Sequence, residues 1–161
     1  LGQYQSRVIA MASAYATLAA SGVYHKPHFV QRVVNAEGDV LFDASQEDNT
    51  GEQRIDKDVA DNVTSAMQPI AGYSGRSLAG GRPSAAKTGT NQLGDTGANR
   101  DAWMVGFTPS LSTAAWVGTT EGTKPLVPAS GSSVYGSGRP GQIWKTTMDG
   151  ALDGTDTESS T

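Results

Sequence analysis

Cysteine is absent from the 161 residues, which excludes a disulfide framework and any thiolate metal site. No apolar run approaches the ~18 residues that a membrane-spanning helix needs. Charge is sparse: 17% of residues are charged against the ~25% usual in soluble domains, and no run of Lys or Arg is longer than two. With 12 basic against 16 acidic residues the net charge is -4, so no nucleic-acid surface is expected. The N-terminal Leu1-Gly2-Gln3-Tyr4 has neither a start methionine nor a signal peptide, so the chain is expected to be a cut piece of something longer. Glycine, in contrast, is abundant at 20 residues, and a chain of this length can bury about two thirds of its unfolded surface. One loop-rich domain, or a large part of one, is expected.

Apolar or small residues recur at Val8, Met11, Ala12, Tyr15, Leu18 and Ala19 with a 3.6-residue period, which predicts a helix over residues 7 to 21. Ser6 is its candidate N-cap, and Gly22 sits where a left-handed residue ends it. His28 to Val34 and Val40 to Phe42, separated by the turn chemistry of Asn35 to Asp39, predict a β-hairpin. His25 and His28 lie near it, but two histidines with no third ligand nearby are read as surface or packing residues, and no metal is expected. Residues 43 to 54 read as exposed loop. Asp56 then caps a second helix with the face Val59, Val63, Ala66 and Met67, stopped by Pro69. Asn62-Val63-Thr64 has the form of a glycosylation sequon, but within a helix it is taken as chance.

The Gly/Ser/Arg-rich segment from Gly72 to Arg82 reads as a flexible loop leading to Ala85-Ala86-Lys87-Thr88-Gly89-Thr90. A further loop over 91 to 100 precedes strands at 102 to 107 and 112 to 118, and the three short strands together predict an antiparallel meander. Trp103 and Trp116 are expected in its core or on its face. The Gly/Ser/Pro-rich stretch from Thr119 to Gly141 is long enough to be functional or disordered. Ile143, Trp144, Thr147, Met148, Ala151 and Leu152 then mark an amphipathic helix with Pro140 near its first turn. The acidic tail 153 to 161 carries no core residue and is expected to be disordered.

The stretch around Lys87 carries the chemistry. A lysine, two threonine hydroxyls and a glycine with little bulk on the N-terminal side suit an anion or a developing oxyanion. Gly81 to Thr88 approaches a phosphate loop, but Ala86 replaces the second glycine and loop residues follow where a helix should open. A plain exposed sheet edge is the other reading that the stretch alone allows.

Lys87-Thr88-Gly89-Thr90, followed by Asp101-Ala102-Trp103-Met104-Val105-Gly106-Phe107-Thr108-Pro109 and Ala115-Trp116-Val117-Gly118, resembles the third motif and following strands of a penicillin-binding transpeptidase. Met11 to Ala16 and Gly22 to Pro27 resemble the bifunctional class A branch of that family, in its actinobacterial members, and the resemblance spans residues 7 to 152. It implies an α+β fold, an α/β sandwich with an antiparallel sheet flanked by helices, of the penicillin-binding and serine β-lactamase type. Residues 1 to 152 would be its C-terminal portion. The implied activity is DD-transpeptidation of peptidoglycan stem peptides by serine acyl transfer, with β-lactam antibiotics as acylating ligands and no cofactor.

In such a site Lys87 would hold the ligand's carboxylate region and join the proton network around the nucleophile. The hydroxyls of Thr88 and Thr90 would bind the carboxylate. The Thr90 backbone N–H would serve the oxyanion hole, and Gly89 would let the substrate backbone lie alongside. Ala86 departs from the glycine more common there. The family also needs a Ser-x-x-Lys nucleophile and a Ser-x-Asn motif. The one Ser-x-x-Lys here, Ser84-Ala85-Ala86-Lys87, overlaps the strand, and Ser-x-Asn does not occur. The chain alone is therefore expected to be inert, its partner being the N-terminal part of the same domain. The place is expected to be extracytoplasmic, with anchorage through a segment outside this chain. A non-catalytic sensor or binding module of the same fold is the alternative.

Overall fold

Period-two alternation in the middle of the chain is met by a sheet whose two faces bury different helices. The computed structural model describes residues 4–127 and 131–158. In chain order the elements are helix α1 (Val8–Ala19), strands β1 (Val23–Tyr24), β2 (Arg32–Val34), β3 (Val40–Asp43) and β4 (Glu52–Gln53), helices α2 (Lys57–Met67) and α3 (Ile70–Tyr73), strands β5 (Ala85–Gln92), β6 (Asn99–Thr108) and β7 (Leu111–Gly118), and helix α4 (Arg139–Leu152). Strands β5, β6 and β7 form the expected antiparallel meander. The strands run longer than the sequence suggests, and the turn between β5 and β6 shrinks to 93–98.

Register assigns the faces. Ala85 stands opposite Phe107, Lys87 opposite Val105 and Gly89 opposite Trp103, while Met104 pairs with both Thr88 and Ala115. Because side chains alternate, Ala86, Met104 and Ala115 project to one face and Ala85 and Phe107 to the other. Trp144, Met148 and Leu152 of α4 pack on the first face, joined by Ala71 and Leu78. Tyr15, Leu18 and Ala19 of α1 pack with Met67 of α2 on the second. Tyr15 meets Phe107 edge to face at 6.4 Å, and burial pushes its phenol pKa up. Ser112 donates a 2.8 Å hydrogen bond to Ala12 O, fixing α1 to β7. Trp103 and Trp116 lie as a cross-strand pair, centroids 6.3 Å apart, on the sheet face.

Two glycines are dictated by contact. Gly22 ends α1 with φ +90, and a Cβ there would sit 2.0 Å from Ile55 O. Gly106 lets α4 approach β6: a Cβ would lie 2.7 Å from Ala85 O and 2.8 Å from the Trp144 ring. Gly106→Ala is therefore expected to destabilise by about 1–3 kcal/mol, since both neighbours are fixed parts of the core. Thermal unfolding of the protein checks this, and an unchanged midpoint would contradict so tight an approach.

Several local expectations are corrected. Ser6 does not cap α1; Arg7 occupies the cap position without a side-chain bond, and the Ser6 hydroxyl turns to Arg7 O. Asp56 stands at the head of α2 but its side chain makes no capping hydrogen bond. The buried face of α2 is Ala60, Thr64 and Met67, with Val59 52% and Val63 38% exposed. The smaller stripe faces inward because α2 lies close to the end of α1, where Ser21 bonds Asp61 at 2.7 Å. The expected loop 43–54 contains a 3-10 turn and β4, which pairs with β1 through Val23–Gln53 and Tyr24–Glu52. The hairpin β2–β3 forms as expected, with Val33 opposite Phe42.

The segment 72–82 is not a free tether. Leu78 is buried, Ala79 N–H bonds Asp149, and Arg82 donates to the carbonyls of Leu152, Thr155 and Asp156. The same contacts hold residues 152–156 against the domain, whereas 159–161 lie outside the described residues. Burial raises the Asp149 carboxyl pKa, but its bonds from Lys145 and Ala79 and the Lys145 charge bring it below the usual value.

Candidate active-site strand

Among the described residues, β5 pairs only with β6, so it is the outer strand of the sheet and its second edge is open. Ala85 and Ala86 are fully buried and anchor its start. Small side chains there allow the close packing of Gly106 and Trp144 on one side and Phe107 on the other. The strand then emerges: Lys87 is exposed, Thr88 and Gly89 are half-buried, and Thr90 is exposed. The four residues of the sequence-derived site thus lie on one continuous, paired strand.

Lys87 shares its face with Ala85 and Gly89 by alternation, beyond the part that α1 covers. Its ammonium donates to Thr88 O at 2.9 Å. Gly89 stands opposite Trp103, and a Cβ on it would come 3.3 Å from Trp103 Cβ, so the glycine keeps this face low beside the indole. Thr88 and Thr90 project to the opposite face. The Thr90 hydroxyl accepts a 3.2 Å hydrogen bond from Gly136 N–H, a contact that sequence reasoning missed. No periodic or motif signal ties two residues so far apart.

Ser84, the serine of the one Ser-x-x-Lys, is 7% exposed and immediately precedes β5. In a helix residues three apart share a face, whereas extended backbone carries Ser84 and Lys87 about 10 Å apart. The two side chains are not brought together as a nucleophile and its base. His25 bonds Asn49 O and His28 bonds Gln31, and among the described residues no cluster of three or more His, Asp or Glu side chains could hold a metal. Among them, too, no helix is long and apolar enough to cross a membrane.

A sheet packed on both faces by helices, with Lys-Thr-Gly-Thr on its open outer strand, defines an α+β sandwich class, and the chain belongs to the penicillin binding protein transpeptidase domain family, whose model matches residues 7–149. It is 81% identical over 160 residues to penicillin-binding protein 1A of Mycolicibacterium smegmatis and 74% identical to penicillin-binding protein 1A of Mycobacterium tuberculosis. Each match covers 99% of this chain and 20% of the relative, so the chain spans about a fifth of those proteins. The solved structure of the penicillin-binding protein PonA1 from Mycobacterium tuberculosis superposes with a TM-score of 0.97 at 73% identity, covering 100% of this chain and 42% of that one. The same protein in complex with penicillin V gives 0.94 at 72% identity, again over 100% of this chain and 42% of that one. The α+β, penicillin-binding fold expected from the sequence is therefore the fold of this chain.

Proposed function

We propose that residues 1–152 are the C-terminal portion of a peptidoglycan DD-transpeptidase domain that works by serine acyl transfer and is acylated by β-lactams, with 153–161 as a tail. The observation that carries this reading is the placement of Lys87, Thr88, Gly89 and Thr90 on the open outer strand. A ligand lying along that edge is within reach of Lys87 from one face and of the threonines from the other. Lys87 supplies positive charge to the ligand's carboxylate region and joins the proton network of the nucleophile, while Thr88 and Thr90 donate hydroxyls. The Thr90 N–H is the oxyanion donor, lowering the barrier by about 3 kcal/mol. Gly89 leaves room for the substrate backbone to lie as an added strand.

The nucleophilic serine and the Ser-x-Asn motif come from the N-terminal part of the same domain, so these residues alone are inert. An apolar groove of about 490 Å³ along α1, lined in part by Ile9, Ala10, Tyr24, Pro27, Phe29 and Ile55, supports a second body packing there. Phe29 is 87% and Ile9 48% exposed in it, an apolar patch of the kind that marks an interaction surface. The working place is extracytoplasmic, with anchorage through a segment outside this chain, and the biological partners are peptidoglycan stem peptides. No observation favours the non-catalytic sensor reading.

The experiment is mass spectrometry of the full-length protein after labelling with a fluorescent penicillin. Label is expected on a serine outside residues 1–161. Label on Ser84, or on no serine at all, would sink the assignment.

A further inference from the structure

The segment 131–138 lies in the stretch whose role the sequence left open, and it is tied down by residues of β5, of β6 and of the connection after α3. Asn99, itself 8% exposed at the start of β6, donates from Nδ2 to Val134 O at 2.9 Å, and its own carbonyl accepts from Leu126 N–H at 2.7 Å. Arg76, after α3, donates from Nε to Ser137 O at 2.8 Å and from Nη2 to Gly138 O at 3.2 Å. Between these anchors Gly136 is pressed onto the sheet: a Cβ there would lie 2.3 Å from Trp103 O, 2.9 Å from Gly89 O and 3.0 Å from Gly89 N. The segment is a strap across the back of the strand, and only glycine fits at its lowest point.

What the strap touches is the site. Gly136 N–H donates to the Thr90 hydroxyl oxygen. A threonine hydroxyl has one proton and two lone pairs, and here one lone pair is taken by a backbone donor that the fold holds still. The oxygen is thereby fixed in place, and among the described residues no acceptor takes its single proton, which is left for a group outside the fold. We propose that the 134–138 strap commits the Thr90 hydroxyl to act as a hydrogen-bond donor toward a carboxylate-bearing ligand, with Gly136 and Arg76 as positioning residues. This rests on the reading of Thr90 as a carboxylate contact. The strap adds orientation: the hydroxyl is ordered before the ligand arrives, so less freedom is lost on binding.

The test compares second-order acylation rates of the full-length protein with a penicillin and with the same penicillin's methyl ester, which lacks the carboxylate charge. Thr90→Val is expected to slow the penicillin about tenfold and the ester less than twofold, because hydrogen bonds to charged groups are the stronger ones. Gly136→Ala, which drives a methyl into the Trp103 carbonyl, is expected to give the same selective loss and to add nothing in a Thr90→Val background. Arg76→Ala releases the strap without placing an atom beneath it and should shift the ratio in the same direction, so it decides the matter if Gly136→Ala does not fold. Should Thr90→Val alone discriminate the two ligands while both strap variants slow them equally or not at all, the strap is merely structural and the inference is overturned. Should Thr90→Val slow both ligands alike, the carboxylate role of Thr90 fails and the inference falls with it.

Discussion

Lys87→Ala in the full-length protein is expected to slow acylation by penicillin by about 100- to 10,000-fold, the range for losing a positioned group in proton transfer. The side chain is exposed and donates only to the neighbouring Thr88 carbonyl among the described residues. Its removal leaves no cavity and no buried charge, so stability should change by less than about 0.5 kcal/mol. A large kinetic loss on an unchanged unfolding midpoint would separate chemistry from folding. Lys87→Arg should recover little of the rate, because a guanidinium keeps the charge but is planar and does not give up its proton. The measurement is the rate of covalent labelling by a fluorescent penicillin, and a Lys87→Ala rate within threefold of the parent would contradict the assigned role.

Trp144→Ala should produce the largest loss of stability, about 3–5 kcal/mol. Trp144 is fully buried, heads the α4 face, and lies in one core cluster with Met104, Ala115 and Met148. Its indole N–H donates to Gly106 O at 3.3 Å, so truncation both opens a cavity and removes a hydrogen-bond partner from a buried carbonyl. For a domain of this size the loss corresponds to about 6–20 °C in the unfolding midpoint. Trp144→Phe should fall between the two, since it keeps most of the ring area and loses only the donor. A midpoint within 2 °C of the parent for Trp144→Ala would mean that α4 is not the principal cover of the sheet. Acylation by the folded fraction is a second readout, because Ala86 beside Lys87 belongs to the same cluster.

Much was legible in the residues because it depends on near neighbours. The strands around Trp103 and Trp116, the helical stripes that include Tyr15 and Leu18, and the run Trp144, Met148 and Leu152 each carry their own period, so the meander and its two flanking helices could be named in advance. The Lys87 to Thr90 segment was equally legible, since its residue types and the strands that follow it are a local pattern. The mismatch of Ser84 with a helical nucleophile was visible too, for the lysine three residues on had to lie in a strand.

The remainder depends on pairs far apart in the chain, where no period or motif connects the partners. The buried face of α2 keeps Met67 of the expected stripe but not Val59 and Val63, which are the more hydrophobic residues, because the adjacent Ala60 and Thr64 meet the domain, close packing outweighing side-chain size. The two-residue ladder of β1 with β4 is held by backbone groups that every residue owns, so Glu52 and Gln53 gave no sign of it. Arg76 and Arg82 read as loop charges until their carbonyl partners were brought beside them. The composition and order of the residues thus set the class of fold and the strand that carries Lys87 and Thr90. Packing alone settled which helix stripe turns inward, what ties the long connections down, and that Gly136 comes to lie behind Thr90, because each of these is a contact between segments that meet only when the chain has folded.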